Sequence, residues 1–596
     1  MLSAVCLLSL LAPQGGLEEE PSGMIIKVLN VDHGSAAVIR APNGTVHVID
    51  AGADGQGNQR VNGAIGSLSP AAYGYTFVTH FDFDHVAGMD EVLQPQRPFQ
   101  LCYDRGNNSR SNANFVQSYV NAAGNRRRTP SVGQEIPLGG GAVLRVLALN
   151  GQVQGGATVT VKGTQQEENA RSIAMRLDYG DFSMWIGGDL TGGGNGTADV
   201  ETPASAQCGD VDVYIVNHHG SNTSTNATLA SRLSPELSVF SAGSGNSFGH
   251  PQNNVINRLN RSAASTVLTS TTEGSGSLGF AVTGDLTIST DGRRYRATAQ
   301  NGDFLDLFVD EVTGKAPSIG DLCISEIHRD PMRVPDANGE YLELTNISGA
   351  PVSLRGLRIS TNSTAFTIAA DVMLVPGRPL AVLRDGYPGR NGGLPIGLVS
   401  PFGALSLGNS SDTLSVRSGF VSIASVSYSG GFAGGSGVAA ERRDLRGFST
   451  ASNFAAATRT YGVGELGTPG SRNTADSSSF PSTMVIDSVP GELTIHGASL
   501  SHGGAISVLG LAFSSQPGFS LFGTQIPLNV DPLLQLTFSV PGFVGSLPSE
   551  GYRSLQIPLP SPNTATGTPA YGAHLTLRLF PFGVQTLSPA TPFVFP

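Results

Sequence analysis

Charged residues are scarce in this sequence, as are cysteine, tryptophan and long apolar runs. Asp, Glu, Lys and Arg make up 14% of the 596 residues, against about 25% in a typical soluble domain. Glycine is abundant instead, with 77 residues, which is well above its usual share. Hydrophobic residues still account for 39%. The composition argues against global disorder and indicates a β-rich chain with many turns.

Positive charge is also in deficit, since the formal net charge is -11. This argues against a protein whose main role is to wrap nucleic acid, because such proteins display a basic face. The compact basic run Arg126-Arg127-Arg128 is more typical of a solvated loop than of a phosphate-steering patch. A nucleic-acid substrate remains compatible with the charge.

Four cysteines lie far apart, at positions 6, 102, 208 and 323, and predict neither a disulfide framework nor a cysteine-based zinc cluster. Residues 1–23 contain an apolar run followed by small residues, as in a signal segment, although a positive n-region is lacking. We therefore expect a secreted or cell-envelope protein. No apolar stretch of about 18 residues follows, so we expect no integral membrane domain.

The chain divides into three predicted domains. From 24 to 310, short β-branched runs alternate with helical patterns, which indicates a layered α/β domain. Residues 318–474 have the short strands and frequent turns of an all-β domain, and 484–596 repeat that pattern. The small polar residues of 475–483 are typical of a linker.

The richest chemistry follows the apolar run YTFV, where His80, Asp82, Asp84 and His85 occur within six residues. Imidazole and carboxylate groups are ligands of divalent zinc and manganese. Residues two apart on an extended segment point the same way, so His80 and Asp82 can share one ion, while Asp84 and His85 can serve a second. The alternative is a polar helix start with Asp84 as its N-cap.

Further candidates each follow a predicted strand: Asp189 after FSMWIGG, His218 and His219 after VDVYIVN, and His250 after VFSAGSGNSFG. Strand ends of an α/β layer meet at one edge of the sheet, where ligand sites form. Each residue alone is explained equally well as a turn or a hydrogen-bonded loop residue. Together they predict one site.

These residues resemble the motifs of the metallo-β-lactamase superfamily, in the H-x-D-x-D-H form of the ComEC-like group. The resemblance covers about residues 24–300. Its further motifs are Val31-Asp32-His33-Gly34-Ser35, Asn169-Ala170-Arg171-Ser172, Gly188-Asp189-Leu190, His218-His219-Gly220-Ser221 and Gly249-His250-Pro251.

The resemblance implies an αβ/βα four-layer sandwich that holds one or two divalent ions, zinc or manganese, and hydrolyses its substrate with a metal-activated hydroxide. It implies catalytic roles for Asp84, which would orient or deprotonate water, and His250, which would donate a hydrogen bond or proton to the substrate. The implied metal ligands are His80, Asp82, Asp84, His85, Asp189 as a bridge, and His218. His218 is preferred over His219 because it comes first after the strand. The implied substrate-binding residues are Asn169, Ser172, His219 and Ser221.

The sequence also departs from true β-lactamases. Asp82 replaces the second histidine of the first motif, and the Asn169 element replaces the third histidine ligand. These departures argue against β-lactam hydrolysis, and harder oxygen ligands favour manganese or magnesium beside zinc. Ala36 and Ala37 stand where relatives often carry Gly-Asp, so a polar contact near the site is in question. A two-metal site with such ligands suits phosphodiester cleavage.

Residues 318–474 resemble the lamin-tail domain, an immunoglobulin-like β-sandwich, through Ile324-Ser325-Glu326-Ile327, Glu340 to Asn346 and the closing Gly467-Thr468-Pro469-Gly470-Ser471. The resemblance implies attachment to a cell-surface or matrix component and is compatible with export. Glu326 and Glu343 are interpreted as structural rather than catalytic residues. Residues 484–596 indicate a C-terminal β-sandwich-like domain.

The sequence alone is compatible with three functions. The first is an exported phosphodiesterase or nuclease that acts on DNA or a nucleotide. The second keeps the site but cleaves an ester or lactone. The third is a non-catalytic envelope binding or scaffold protein with a structural metal site.

Overall fold

The computed structural model describes a mixed α/β chain with several β-sheets. The described residues are 20–107, 109–260, 267–271, 281–309, 314–489, 491–540, 542–548, 551–559, 566–579 and 582–596. Most of the signal-like segment predicted at 1–23 therefore lies outside them. No helix among these residues is long and apolar enough to cross a membrane. The three cysteines among them, Cys102, Cys208 and Cys323, are buried and free.

Two large sheets form the N-terminal half. The eleven-stranded sheet has, in spatial order, the strands Val352–Ser353, Val372–Leu374, Phe304–Phe308, Arg294–Ala299, Leu286–Thr290, Met24–Val28, Ala36–Arg40, Thr45–Ala51, Ala72–Val78, Leu101–Asp104 and Arg127–Arg128. The nine-stranded sheet has Ala281–Val282, Val267–Ser270, Leu237–Phe240, Val213–Ile215, Phe182–Ile186, Ala174–Tyr179, Ala142–Leu149 and Glu135–Gly139, with Gln152–Val153 paired to Ala142–Leu149.

Helices cover the outer faces of both sheets. Their α-helical members in this half are Asn62–Ser67, Phe83–Val86, Met89–Val92, Asn114–Ala123, Glu167–Ala170, Glu201–Cys208, Ala227–Leu233 and Asn253–Leu259. A π-helix, Gly57–Val61, precedes the first of them, and 3-10 turns occur at Ser109–Asn112, Gly124–Arg126 and Asn217–Gly220.

Three hydrophobic clusters explain this layering. One contains inward side chains of both sheets, such as Ile26 and Met184. A second joins the outer face of the nine-stranded sheet to helices through residues such as Trp185 and Leu229, and a third joins the other sheet to its helices through residues such as Met89. The layer order is therefore helix, sheet, sheet, helix, because each sheet buries apolar residues on both faces.

Two smaller sheets follow in the second region. The six-stranded sheet has Leu398–Val399, Pro379–Leu383, Tyr341–Asn346, Leu322–His328, Ala440–Arg442 and Phe454–Ala456, and the four-stranded sheet has Ala365–Thr367, Leu357–Ser360, Asp412–Ser418 and Val421–Tyr428. A two-stranded pair, Thr460–Tyr461 with Glu465–Leu466, completes the region together with the helix Asp336–Gly339 and the 3-10 turns Pro401–Gly403 and Ala451–Asn453.

The C-terminal region has two sheets that share a core of residues such as Leu493 and Leu511. One sheet has Thr483–Val489, Glu492–Ala498 and Tyr552–Pro558; the other has Val544–Ser546, Ile506–Ala512, Pro569–Leu579 and Phe582–Leu587, with Thr591–Val594 paired to Pro569–Leu579. The hairpin Phe519–Leu521 with Thr524–Ile526 and the helix Pro532–Thr537 lie beside them.

The regions are more closely joined than the sequence indicates. The strands Val352–Ser353 and Val372–Leu374, assigned from sequence to the second domain, extend the eleven-stranded sheet. The predicted linker 475–483 is also packed, since Phe480 is buried and its N–H donates to Ser501 Oγ at 2.9 Å. The second region therefore adds two strands to the large N-terminal sheet, and the segment 475–483 adds a buried side chain; the domain boundaries themselves stay a prediction.

Candidate metal centre

The histidine- and aspartate-rich segment lies where the strand Ala72–Val78 ends and a short helix begins. Asp82 is extended and occupies the N-cap position of the helix Phe83–Val86, without a side-chain capping hydrogen bond. Asp84 and His85 lie inside that helix. The interpretation of Asp84 as the N-cap is therefore wrong. The side chain of Asp84 contacts His219, and that of His85 contacts Asp50.

A buried group of three residues could hold a metal ion: His80, His85 and Asp189. His85 Nε2 lies 3.1 Å from Asp189 Oδ1, and His80 Nε2 lies 3.7 Å from Asp189 Oδ2. Neither His80 Nε2 nor Asp189 Oδ1 has a hydrogen-bond partner among the described residues. Because buried polar atoms are normally paired, this donor set fits a divalent ion with nitrogen and oxygen ligands.

A second, more open group consists of His33, Asp84 and His219. His219 Nε2 lies 3.2 Å from Asp84 Oδ2, and His33 Nε2 lies 4.0 Å from the same oxygen. The side chains of His33 and Asp84 are 21% and 24% exposed. The two groups adjoin, since His85 Nε2 is 3.3 Å from His219 Nε2. The arrangement could therefore hold two neighbouring ions, one of them reachable from solvent.

Hydrogen bonds at the Nδ1 atoms of His85 and His219 determine whether their Nε2 atoms present a lone pair to the centre. His85 Nδ1 bonds to Asp50 Oδ2 at 2.8 Å, and His219 Nδ1 bonds to the carbonyl oxygen of Ser241 at 2.7 Å. Because both partners are acceptors, each Nδ1 carries a hydrogen, and in the neutral ring each Nε2 then presents a lone pair. Two lone pairs that face each other repel unless a cation lies between them.

The pKa shifts in the centre also indicate that it favours positive charge. Burial opposes protonation of His85, but Asp189 and Asp50 outweigh it and hold its pKa well above 6.5. Burial likewise opposes ionisation of Asp189, but the surrounding histidines, His85 first, hold its pKa well below the usual value. The site thus favours positive charge among its carboxylates, whether that charge comes from protons or from metal.

His218, the ligand preferred from the sequence, lies beside the first group, and its role as a ligand stays a prediction. Its Nε2 lies 3.2 Å from Asn169 Nδ2 and 3.6 Å from Asp189 Oδ2, and it belongs to neither group of three. His219, expected to bind substrate, belongs to the second group instead. Both histidines have positive φ, 51° and 53°, and their Nε2 atoms lie 3.6 Å and 3.7 Å from the two carboxylate oxygens of Asp189.

The remaining predicted ligand and substrate residues surround the first group. Asp82 Oδ2 lies 3.6 Å from His80 Nε2, while its Oδ1 accepts a hydrogen bond from Arg110. Asn169 Nδ2 donates to Asp189 Oδ2 at 3.4 Å. Ser172 and Ser221 are buried, and Ser221 Oγ bonds to Thr223 Oγ1. The two serines therefore lie in the wall of the site rather than on its open side.

His250 lies at the rim of the centre, with its ring centroid 5.4 Å from that of His218 and 5.8 Å from that of His33. Burial, and then the neighbouring histidines, lower its pKa to about 3. A neutral imidazole can donate a hydrogen bond but carries no acidic proton at neutral pH. Phe248, 63% exposed, stacks on both His33 and His250.

Two glycines permit close approach at the centre. A Cβ atom at Gly34, where φ is 146°, would lie 2.4 Å from the carbonyl oxygen of Asp84. A Cβ atom at Gly188, where φ is 53°, would lie 2.5 Å from Thr79 Oγ1. Larger residues at either position would displace the segment that carries Asp84 or the one that carries Asp189.

Sequence reasoning missed two contributors to the site. His33 stands in the motif Val31 to Ser35, where a histidine beside a Gly-Ser turn is a visible ligand candidate. Asp50 accepts hydrogen bonds from Thr79 and pairs with His85. Its signal was a carboxylate at the end of the apolar run VHVI, where a charge needs a partner.

Comparison with known proteins gives partial matches. No protein-family model matches the chain. A 95-residue stretch is 32% identical to competence protein ComA of Neisseria gonorrhoeae, and it covers 16% of this chain and 13% of that protein. This chain is therefore similar in part to a competence protein. A 94-residue stretch is 33% identical to recombination protein 2 of Haemophilus influenzae and covers 16% of this chain and 11% of that relative.

The matches support the ComEC-like part of the sequence resemblance, over a short stretch only. They do not bear on the metallo-β-lactamase or lamin-tail assignments, which stay predictions.

Proposed function

We propose that this protein is a metal-dependent hydrolase with the metallo-β-lactamase fold that cleaves phosphodiesters, with DNA or a nucleotide as substrate class. We further propose that it is exported and that its β-sandwich regions, the first of them a lamin-tail domain, attach it to a surface or matrix component. The helix, sheet, sheet, helix order of the N-terminal half supports the proposed fold.

One observation carries the proposal: two adjoining groups of histidine and aspartate, with the Nε2 atoms of His85 and His219 facing each other at 3.3 Å. A bound divalent ion supplies an activated nucleophile at neutral pH and polarises the attacked oxygen. His80, His85 and Asp189 would hold one ion, and Asp84, His219 and His33 would hold a second.

The chain's own residues then have separable tasks. Asp84 combines partial exposure with a carboxylate oxygen at the boundary of the two groups, so it can orient a water molecule or accept its proton. His250 at the rim donates a hydrogen bond to a substrate oxygen. Arg110, whose Nη2 bonds to Asp82 and whose side chain is 43% exposed, supplies a positive charge that a phosphate can approach from solvent.

The direct test measures metal content and hydrolysis of bis(p-nitrophenyl) phosphate by the full chain, with zinc and manganese added in parallel. We expect metal-dependent turnover. An Asp84→Ala, His85→Ala double variant should lose bound metal and reduce turnover by roughly 1000-fold or more. An Asp181→Ala, His502→Ala double variant changes the same residue types away from both groups and should behave as the wild type.

The other outcomes discriminate between the functions left open by the sequence. Turnover of p-nitrophenyl esters without phosphodiester hydrolysis would replace the proposed substrate with an ester or lactone. Bound metal without any turnover would favour a binding or scaffold protein. Full activity in the Asp84, His85 variant would show that the site assignment is wrong.

A further inference from the structure

A cavity of about 530 Å³ lies where the three parts of the chain meet, away from the metal groups. Phe304 contributes from the eleven-stranded sheet, Glu343 from the six-stranded sheet, and Leu500 and Pro548 from the C-terminal region. Pockets of about 300–1,000 Å³ are typical of small-molecule sites, which occur preferentially between domains. None of the proposed metal ligands lines this cavity.

The floor of the cavity is polar and internally bonded. Thr345 Oγ1 donates to Ser325 Oγ at 2.8 Å, and Ser325 Oγ donates to Glu343 Oε1 at 2.7 Å. The N–H of Gly470 donates to Glu343 Oε2 at 2.9 Å. Burial, and then Glu326, raise the pKa of Glu343 well above its usual value. These hydrogen bonds hold Thr345, Ser325 and Glu343 in place at the floor of the cavity.

Arginines dominate the charged part of the lining. Arg378, Arg459 and Arg472 line the cavity, against the carboxylates of Asp476 and the buried Glu343. The charge of Arg472 is compensated by Asp476, because Arg472 Nε lies 2.8 Å from Asp476 Oδ2. Arg459 makes no ion pair with any residue that the structure describes. The balance of charge around the cavity is therefore positive.

Arg378 contributes a second guanidinium group to the lining. Its Nη1 lies 3.4 Å from Asp306 Oδ2. The guanidinium of Arg378 lies 3.5 Å from the centroid of the Phe304 ring, which holds it at the cavity wall by a cation–π contact.

An apolar wall completes the cavity. Val375, Leu445, Phe480 and Leu500 line it and belong to one buried hydrophobic cluster shared by the second and C-terminal regions. An apolar body placed against these side chains would be removed from water, while a charged end would remain within reach of the arginines.

We propose that this cavity binds a small organic anion with an apolar body, of the medium-chain carboxylate type. The anionic end pairs with Arg459 and Arg378, and the apolar end packs on the wall formed by Val375, Leu445, Phe480 and Leu500. This site is independent of the proposed hydrolase function, so either can hold without the other.

The test compares two eight-carbon probes by isothermal titration calorimetry on the full chain: octanoate, which ends in a charged carboxylate, and 1-octanol, which ends in an uncharged hydroxyl. Octanoate should bind about tenfold more tightly than 1-octanol, because a charged hydrogen bond to Arg459 distinguishes them. Arg459→Gln should weaken octanoate binding by about tenfold and leave 1-octanol unchanged. Arg459→Lys should retain most of the difference, since it keeps the charge.

Arg417→Gln is the matched control, because Arg417 bonds to the carbonyl oxygen of Phe420 and does not line the cavity. Equal binding of both probes, no binding of octanoate, or unchanged octanoate affinity in Arg459→Gln would overturn the proposal. A second cavity of about 390 Å³, lined by residues such as Phe519 and Phe538, would bind both probes without regard to Arg459. The variant therefore separates the two cavities.

Discussion

Two neighbouring histidines of one motif have different surroundings in this protein. His219 is 3% exposed, has its Nδ1 bonded to the Ser241 carbonyl oxygen and directs its Nε2 at Asp84 and His85. His218 faces Asn169 through Nε2 and Thr223 through Nδ1. A ring whose far nitrogen donates to a carbonyl is oriented for metal binding, because the hydrogen bond fixes both its tautomer and its direction.

These surroundings predict different costs for removing each ring. His219→Ala should lower zinc affinity by about 100-fold, and His218→Ala by about tenfold or less, since only the former removes a member of the two groups. Competition with a chromogenic chelator measures both affinities. Each variant serves as the control for the other, and equal losses would contradict the distinction drawn here.

The segment that carries His218 and His219 is held in place by one buried acidic residue, Glu201. Glu201 is the first residue of the helix Glu201–Cys208 and is fully buried. Its carboxylate accepts hydrogen bonds from Asn217 Nδ2 and from the N–H groups of Thr225 and Asn226, at 2.6–2.8 Å. The helix start therefore fixes both ends of the segment around His218 and His219.

Glu201→Ala should leave those three donors without an acceptor and lower the free energy of unfolding by about 3 kcal/mol or more. It should also weaken metal binding about tenfold, because the histidines lose their support. Urea unfolding with and without chelator separates the two effects. Glu135→Ala, at an exposed position, is the control; an unaltered metal affinity in Glu201→Ala would contradict the positioning role.

At the scale of the whole molecule, the N-terminal half does not end where its own strands end. The strand Phe304–Phe308 pairs with Val372–Leu374 from the second region. The inner hydrophobic cluster also continues into that region through residues such as Leu354 and Ile368. A fragment cut near residue 310 would expose both an unpaired strand edge and apolar side chains, which promotes association.

We therefore expect a fragment of residues 24–310 to melt about 5 °C or more below a fragment of residues 24–474 and to self-associate. Thermal unfolding followed by circular dichroism and size-exclusion chromatography would measure these properties. Equal melting temperatures and a monomeric short fragment would instead support the domain boundary predicted from sequence.

Much of the local structure follows from sequence patterns. The run FSMWI, predicted as the strand before Asp189, is found as Phe182–Ile186, and the run VDVYIVN before His218 contains the strand Val213–Ile215. Apolar runs bounded by turn residues determine such strands through local preference and burial. The ends differ by two residues because the last hydrogen bonds depend on the neighbouring strands.

The proximity of His80, Asp82, Asp84 and His85 follows from the local sequence, because a strand end and a short helix leave little freedom between them. The contacts of His219 with Asp84 and His85, and the positions of His33 and Asp50 beside them, arise from tertiary packing. The contact between His85 and His219 joins residues 134 positions apart. Such contacts depend on how sheets pack and on backbone angles such as the positive φ of both histidines, which no local pattern specifies.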